Sequence, residues 1–227
     1  MASSDSRTHE FQVVADTGED TLIYSQTAKY AANIEKASTR RAALANAPAQ
    51  GSAKEVSTPN AGTIKDVCAL LGRPEHQSLK ALVYSAITGS KQEHVLLMLL
   101  GDDNLNEVKL AGHLKADHIK AATDAELSTL GLPKGFIGPM GLPSPMRVIF
   151  DKAVDLQSAY VVGALKKDTH LDGFVPSRDC GAHERADLRL ARAGDVTMDG
   201  KHEVQIKKGI EVGHIFQLGD KYTKALN

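Results

Sequence analysis

Residues 131–143 contain the feature that most restricts how this chain can fold. The segment GLPKGFIGPMGLP has four glycines and three prolines in thirteen residues. This composition excludes a helix interior and a central strand, because proline lacks a backbone donor and glycine weakens regular elements. A loop of this kind can direct backbone N–H groups at a carbonyl or an oxyanion. Composition by itself favours a connection without a role, and the segment matches neither phosphate-binding loop signature.

Apolar periodicity on both sides of this loop predicts strands and helices in an irregular order. Strands are predicted at residues 11–15, 21–24, 79–87, 95–100, 146–150 and 158–163. Helices are predicted at residues 30–36, 64–71, 107–114 and 123–130. Residues 37–54 are rich in alanine, arginine and serine and predict a linker. Because the elements do not alternate as in a doubly wound fold, we expect an α+β fold, a mixed sheet with surrounding helices.

The composition predicts a cytoplasmic globular protein without a membrane partner. Two cysteines, Cys68 and Cys180, are too few for a disulfide scaffold. No apolar run approaches the ~18 residues of a membrane span, and the first residues lack the apolar stretch of a signal peptide. A net charge of -1 and an aromatic content of 4% argue against nonspecific phosphate binding and base stacking. A nucleic-acid substrate would therefore be held at one small site or positioned by another domain.

Two common kinds of hydrolytic centre are not predicted. Cys180 and His183 form a single C-x-x-H pair, whereas a zinc site needs a second pair at ligand spacing. Neither an H-E-x-x-H motif nor a G-x-S-x-G elbow occurs in the sequence. We therefore expect neither a metal site nor a Ser-His-Asp hydrolase.

Six short motifs carry a resemblance to a known family. They are HEFQV at 9–13, TPNAGTI at 58–64, LK at 79–80, GDDNLNEVK at 101–109, GFIGP at 135–139 and GIEVGHIFQLG at 209–219. In this order and spacing the motifs resemble the editing (insertion) domain of bacterial-type prolyl-tRNA synthetases, which is related to the free-standing aminoacyl-tRNA deacylases. The first and last motifs resemble pieces of the class II catalytic core that flanks this domain.

The resemblance implies a division of the chain and a limit on its activity. The implied parts are a stub of the class II catalytic domain at 1–30, a helix and linker at 31–54, the editing domain at 55–203 and a second stub at 204–227. The motifs for ATP and proline activation would then be incomplete, so aminoacylation is not expected. ATP and Mg²⁺ would serve only the parent synthetase, which is a homodimer in this family and would act as a partner in cis.

The resemblance also assigns a site without a metal. It makes Lys80 and His170 catalytic, and it gives substrate binding to Thr58, Gly135, Phe136, Ile137, Gly138 and Pro139. Without the resemblance, Lys80 would be interpreted as a solvated strand end and His170 as an exposed side chain. The family pattern Asn-x-Asp-Gly-x-His is not kept before His170, because residues 165–170 are LKKDTH.

The implied function is post-transfer editing, the hydrolysis of mischarged Ala-tRNA(Pro) without a cofactor, with the acceptor end of tRNA(Pro) as partner. A synthetic site sized for proline cannot exclude alanine, because a lost methylene changes binding by only ~1–3 kcal/mol. Two alternatives remain open. The chain could be a catalytically silent insertion that positions tRNA, or a deacylase for Cys-tRNA(Pro) or another small aminoacyl-tRNA.

Overall fold

The computed structural model describes residues 8–216 and confirms an α+β fold with mixed sheets. Its strands are β1 (Thr8–Val14), β2 (Asp20–Ser25), β3 (Tyr30–Asn33), β4 (Lys54–Ser57), β5 (Leu79–Thr88), β6 (Lys91–Leu100), β7 (His118–Ala121), β8 (Arg147–Asp151), β9 (Tyr160–Gly163), β10 (Thr169–Phe174), β11 (Glu184–Ala186) and β12 (Gln205–Phe216). Its α-helices are α1 (Ile64–Leu71), α2 (Glu107–Leu114), α3 (Asp124–Thr129) and α4 (Pro176–Asp179). No helix in this described range is long and apolar enough to cross a membrane.

The chain divides into two compact units, Met1–Thr39 with Ala191–Asn227, and Arg40–Leu190. Most of the segment predicted as a linker belongs to the second unit. Within that unit, Leu44 packs against the main apolar cluster and Ala47 pairs with Ala159 in an isolated β-bridge. The assignment of the chain ends to a class II catalytic core stays a prediction, and residues 1–7 and 217–227 of those ends lie outside the described residues.

The first unit contains an antiparallel sheet of order β1-β12-β2-β3. The predicted helix at 30–36 is wrong, because residues 30–33 form β3 and pair with β2. Tyr30, Ala32 and Ile34 pack against a cluster around the fully buried Ile23. Their spacing of two residues places them on one face of an extended chain, whereas a helix would scatter them. Strand pairing and burial therefore override the helix propensity of this alanine-containing segment.

The second unit contains a five-stranded sheet of order β11-β8-β6-β5-β7 and a three-stranded sheet of order β4-β10-β9. Its central strand, β6, runs parallel to β8 and antiparallel to β5. Residues 95–100 of β6 are at most 1% exposed, and successive side chains enter two apolar clusters on opposite faces. The sequence of a strand that is covered on both faces is a continuous apolar run, and for this reason β6 could be predicted from the sequence.

Local caps fix the ends of the predicted helices. The Thr63 hydroxyl accepts a hydrogen bond from the Asp66 N–H at 3.2 Å, and α1 ends at Gly72, whose φ is 63°. The Asn106 side chain accepts from the Lys109 N–H at 3.1 Å before α2. Each cap satisfies a backbone donor that the first helical turn leaves without a partner. The predicted bounds of these two helices are confirmed.

β10 has no counterpart among the predicted strands. Its sequence, THLDGF, is mostly polar and does not alternate with a period of two. The strand nevertheless pairs with β4 on one side and β9 on the other, so backbone hydrogen bonds hold it in place. This pairing sets His170 opposite Val56 on β4 and Gly163 on β9.

Candidate active site

The start of β5, the first turn of α1, the Gly/Pro-rich loop and strands β9 and β10 surround a cavity of about 110 Å³, the Lys80 cavity. Four predicted site residues line it: Lys80, Gly135, Ile137 and His170. The other four are buried and are not among its lining residues: Thr58, Phe136, Gly138 and Pro139. The structure therefore brings half of the predicted set to the cavity surface.

Lys80 is held at the cavity by the turn that follows β6. Its Nζ donates to the backbone carbonyl oxygen of Asp103 at 2.7 Å, which uses one of the three ammonium donors. Arg41 anchors this turn from the segment predicted as a linker. Its guanidinium donates to both carboxylate oxygens of Asp102, at 3.1 and 2.9 Å, and to the Asp103 carboxylate. Arg41 thus fixes the carbonyl group that positions Lys80.

The contact between Arg41 and Asp103 is largely removed from water. The Asp103 side chain is 1% exposed and that of Arg41 is 12% exposed. Burial raises the pKa of the Asp103 carboxyl, and the guanidinium groups of Arg189 and Arg41 act in the opposite direction. A carboxylate so deeply buried depends on these cations to stay ionised.

Replacing Arg41 with methionine is expected to lower the free energy of unfolding by about 3 kcal/mol, because a buried carboxylate loses a direct partner. Lys166→Met is the matched control, since Lys166 pairs with Glu55 at a site where both side chains are more than half exposed. An exposed pair contributes less than about 1 kcal/mol. Urea unfolding of both variants measures the difference, and equal small losses would show that Arg41 does not anchor the turn.

His170 projects from β10 and is 7% exposed. Its Nδ1 lies 2.7 Å from the hydroxyl oxygen of Thr58, and the Phe136 ring meets the imidazole edge-on with centroids 5.5 Å apart. Burial lowers the pKa of His170, which favours the neutral ring. Thr58 has no exposed surface, and its N–H donates to the Asp168 carbonyl at 2.9 Å. Thr58 therefore contacts the imidazole from behind the cavity wall.

The Gly/Pro-rich loop approaches the end of β9 backbone to backbone. A Cβ added to Gly138 would overlap the Gly163 carbonyl, and one added to Gly163 would overlap the carbonyl groups of Phe136 and Ile137. Gly135 has a φ of 86°, in the region that favours glycine. Gly138 and Gly163 are required because a side chain would not fit at either position, and Gly135 is required by its backbone conformation.

The same loop offers backbone donors to the cavity. The Phe136 N–H donates to the Pro133 carbonyl at 3.0 Å, so it is already engaged in the turn. Within residues 8–216, the N–H groups of Gly135, Ile137 and Gly138 have no intramolecular acceptor. Buried N–H groups without a partner are rare in proteins, and Gly138 is buried. Gly135 and Ile137 line the Lys80 cavity, so their N–H groups can stabilise negative charge on a ligand oxygen there.

Sequence reasoning assigned no role to several residues that line the Lys80 cavity. They include Gly62, Ile64, Val67, Ser78, Val161 and Gly163. Gly62 and Ile64 lie within the TPNAGTI motif, so the motif itself was the available signal. Gly163 begins the segment that leads to His170, which was the available signal for it, whereas Ser78 and Val161 have no local signature because their place at the cavity follows from strand packing.

A larger cavity of about 640 Å³ lies elsewhere in the second unit. Its charged side chains bond to one another: Arg147 contacts Glu93 at 2.6 Å and Glu184 at 2.7 Å. His183, also in its wall, bonds through Nδ1 to the Gly181 carbonyl at 2.9 Å. We place the candidate site at the Lys80 cavity, where an ammonium group, an imidazole and unengaged backbone donors meet.

Residues 58–177 match the family model described as the aminoacyl-tRNA editing domain, and the chain belongs to this family. The predicted resemblance is therefore confirmed. The matched range contains every predicted site residue, whereas Arg41 precedes it.

Similar curated proteins are proline–tRNA ligases. That of Pelobacter propionicus is 44% identical over 225 residues, which cover 97% of this chain and 38% of the ligase. That of Legionella pneumophila is 42% identical and covers 98% of this chain and 38% of the ligase. The chain thus spans less than half the length of these relatives.

A solved structure provisionally assigned as a trans-editing enzyme for prolyl tRNA synthetase shares the fold. It superimposes with a TM-score of 0.53 over 61% of this chain and 87% of its own, at 20% sequence identity. At this identity the likeness establishes the editing-domain fold alone.

Proposed function

We propose that this chain is the editing domain of a bacterial-type proline–tRNA ligase and that it hydrolyses the ester of mischarged Ala-tRNA(Pro). The observation that carries the proposal is the convergence of Lys80, His170, Gly135 and Ile137 on one small cavity, where the N–H groups of Gly135 and Ile137 have no acceptor within the described residues. The similarity to proline–tRNA ligases over almost the whole chain supports the parent enzyme. In that setting the substrate would be an ester at the acceptor end of tRNA(Pro), in the cytoplasm.

The volume of the cavity favours a small aminoacyl group. Its 110 Å³ corresponds to about three to four water molecules of liquid volume. An alanine side chain fits such a space, whereas large side chains such as aromatic rings would overpack it. Discrimination against proline, which the synthetic site cannot supply against alanine, is proposed to come from the contacts that line this second site.

Lys80 and the backbone donors of the loop have separate roles in the proposed hydrolysis. Lys80 would hold the terminal phosphate or ribose of the tRNA, as a compact cation suited to such oxygens. The N–H groups of Gly135, Ile137 and Gly138 would orient the ester carbonyl and stabilise the oxyanion that forms when water attacks its carbon. The carbon–oxygen bond to the ribose then breaks, and the ribose oxygen takes a proton. The products are alanine and tRNA(Pro).

The attacking water would be activated by the substrate. Lys80 donates a hydrogen bond to a carbonyl oxygen, so it acts at this site as a donor and not as a base. His170 is the only histidine among the described residues that line the cavity. The free hydroxyl of the terminal ribose lies next to the ester in any aminoacyl-tRNA and can direct the water. The reaction as proposed consumes only water and needs no cofactor.

Release of labelled amino acid from Ala-tRNA(Pro), Cys-tRNA(Pro) and Pro-tRNA(Pro) tests the proposal. With the chain in excess over tRNA, a single turnover is observed even when tRNA binds weakly. We expect hydrolysis of the alanyl ester and none of the prolyl ester. Faster release of cysteine would replace alanine with cysteine as the substrate, and no release at all would favour the silent insertion.

A further inference from the structure

The contact between Thr58 and His170 determines which imidazole nitrogen carries the proton. Thr58 is fully buried, and within residues 8–216 its hydroxyl has one hydrogen-bonding partner, Nδ1 of His170 at 2.7 Å. A buried hydroxyl hydrogen needs an acceptor. If Nδ1 carried a proton, it would donate to the hydroxyl oxygen and leave the hydroxyl hydrogen without an acceptor. Both groups are satisfied only when Thr58 donates and Nδ1 accepts.

The neutral ring then has its single proton on Nε2. Nδ1 is occupied by Thr58, so Nε2 is the nitrogen left for the Lys80 cavity that His170 lines. The edge-on contact with Phe136, at an interplanar angle of 61°, opposes rotation of the ring. A nitrogen that carries a hydrogen donates to a ligand and cannot take a proton from water.

We infer that Thr58 is a positioning residue that holds His170 in its Nε2–H tautomer, so that His170 donates a hydrogen bond to an oxygen of the bound aminoacyl ester. This assignment differs from the sequence-based one, in which Thr58 binds the substrate. The assignment of the tautomer depends on the geometry alone. The hydrogen bond from His170 to the ester, the catalytic part of the inference, rests on the proposed deacylase function.

Nitrogen-15 NMR of the imidazole rings tests the tautomer directly. The chain has nine histidines, and the His170→Gln variant identifies the signals of His170 by their loss. In the parent we expect a pyrrole-type Nε2 and a pyridine-type Nδ1. A pyrrole-type Nδ1 in the parent would overturn the inference whether or not the chain deacylates tRNA. This measurement needs no change at Thr58.

Two substitutions then connect the tautomer to the reaction. Thr58→Ser keeps the hydroxyl and should retain both the Nε2–H tautomer and the deacylation rate within about threefold. Thr58→Val keeps the shape, releases Nδ1, and should give mixed tautomers and a rate at least about tenfold lower, as for other residues that orient a functional imidazole. A folded Thr58→Val variant that deacylates as fast as the unsubstituted chain would overturn the catalytic part of the inference. If the unsubstituted chain had no deacylase activity, the proposed function would be contradicted, and the NMR result would still decide the tautomer.

Discussion

Replacing Lys80 with alanine is expected to lower the rate of Ala-tRNA(Pro) deacylation by at least about a hundredfold and to leave the domain folded. The ammonium group is the cation that the turn after β6 holds at the cavity, through the 2.7 Å bond from Nζ to the Asp103 carbonyl. Its loss removes the group proposed to position the acceptor end. The cost in stability should be about 1 kcal/mol, because one hydrogen bond to a half-buried side chain is lost.

The matched control is Lys91→Ala. Lys91 lies at the opposite end of the β5–β6 hairpin, paired with Thr88, and is exposed. Both variants would be compared in single-turnover deacylation and in urea unfolding. We expect Lys91→Ala to match the parent in both. Lys80→Arg would keep the charge but change its geometry and should recover only part of the rate. A folded Lys80→Ala variant that deacylates at the parent rate would show that Lys80 has no part in the reaction.

Gly163→Ala is expected to lower the free energy of unfolding by about 3 kcal/mol and to displace the Gly/Pro-rich loop. The added Cβ would overlap the backbone carbonyl groups of Phe136 and Ile137. A backbone cannot avoid this contact by a change of rotamer, so either the loop or β9 must move. Movement of the loop would also shift the N–H groups of Ile137 and Gly138, and deacylation should fall with stability.

Gly112→Ala is a control that is expected to change the free energy of unfolding in the opposite direction. Gly112 lies in α2, is exposed, and has open space where the added methyl group would lie. Alanine there should stabilise the domain by about 0.5–1 kcal/mol, because glycine is the poorer helix former. Urea unfolding of the two variants separates the effects. If Gly163→Ala unfolded at the parent midpoint, the close approach of the loop to β9 would not contribute to the fold.

Elements whose signals are local were predictable from the sequence. α1 has its cap at Thr63 and its stop at Gly72, and both act through bonds to residues within one turn. β6 is a continuous apolar run because both of its faces are covered. The helix predicted at 30–36 failed for the opposite reason, since pairing with β2 decides the conformation of that segment.

The candidate site could be predicted only in part. The ordered motifs singled out Thr58, Lys80 and the 135–139 loop. The family resemblance added His170 although its usual local pattern is not kept, and family membership is confirmed by the match over residues 58–177. Arg41 was not singled out, because an arginine in an alanine-rich stretch has no local sign of its contact with the turn after β6. Ser78 was missed for the same reason.

By itself the sequence determined the family, the loop that cannot be regular structure, and the elements with local caps or continuous apolar runs. The tertiary structure alone decided that Thr58 lies behind His170 rather than in the cavity. These two residues are 112 positions apart, and their contact depends on the pairing of β10 with β4 and β9. Backbone hydrogen bonds between distant strands produce that pairing, and the mostly polar side chains of β10 carry little sign of it.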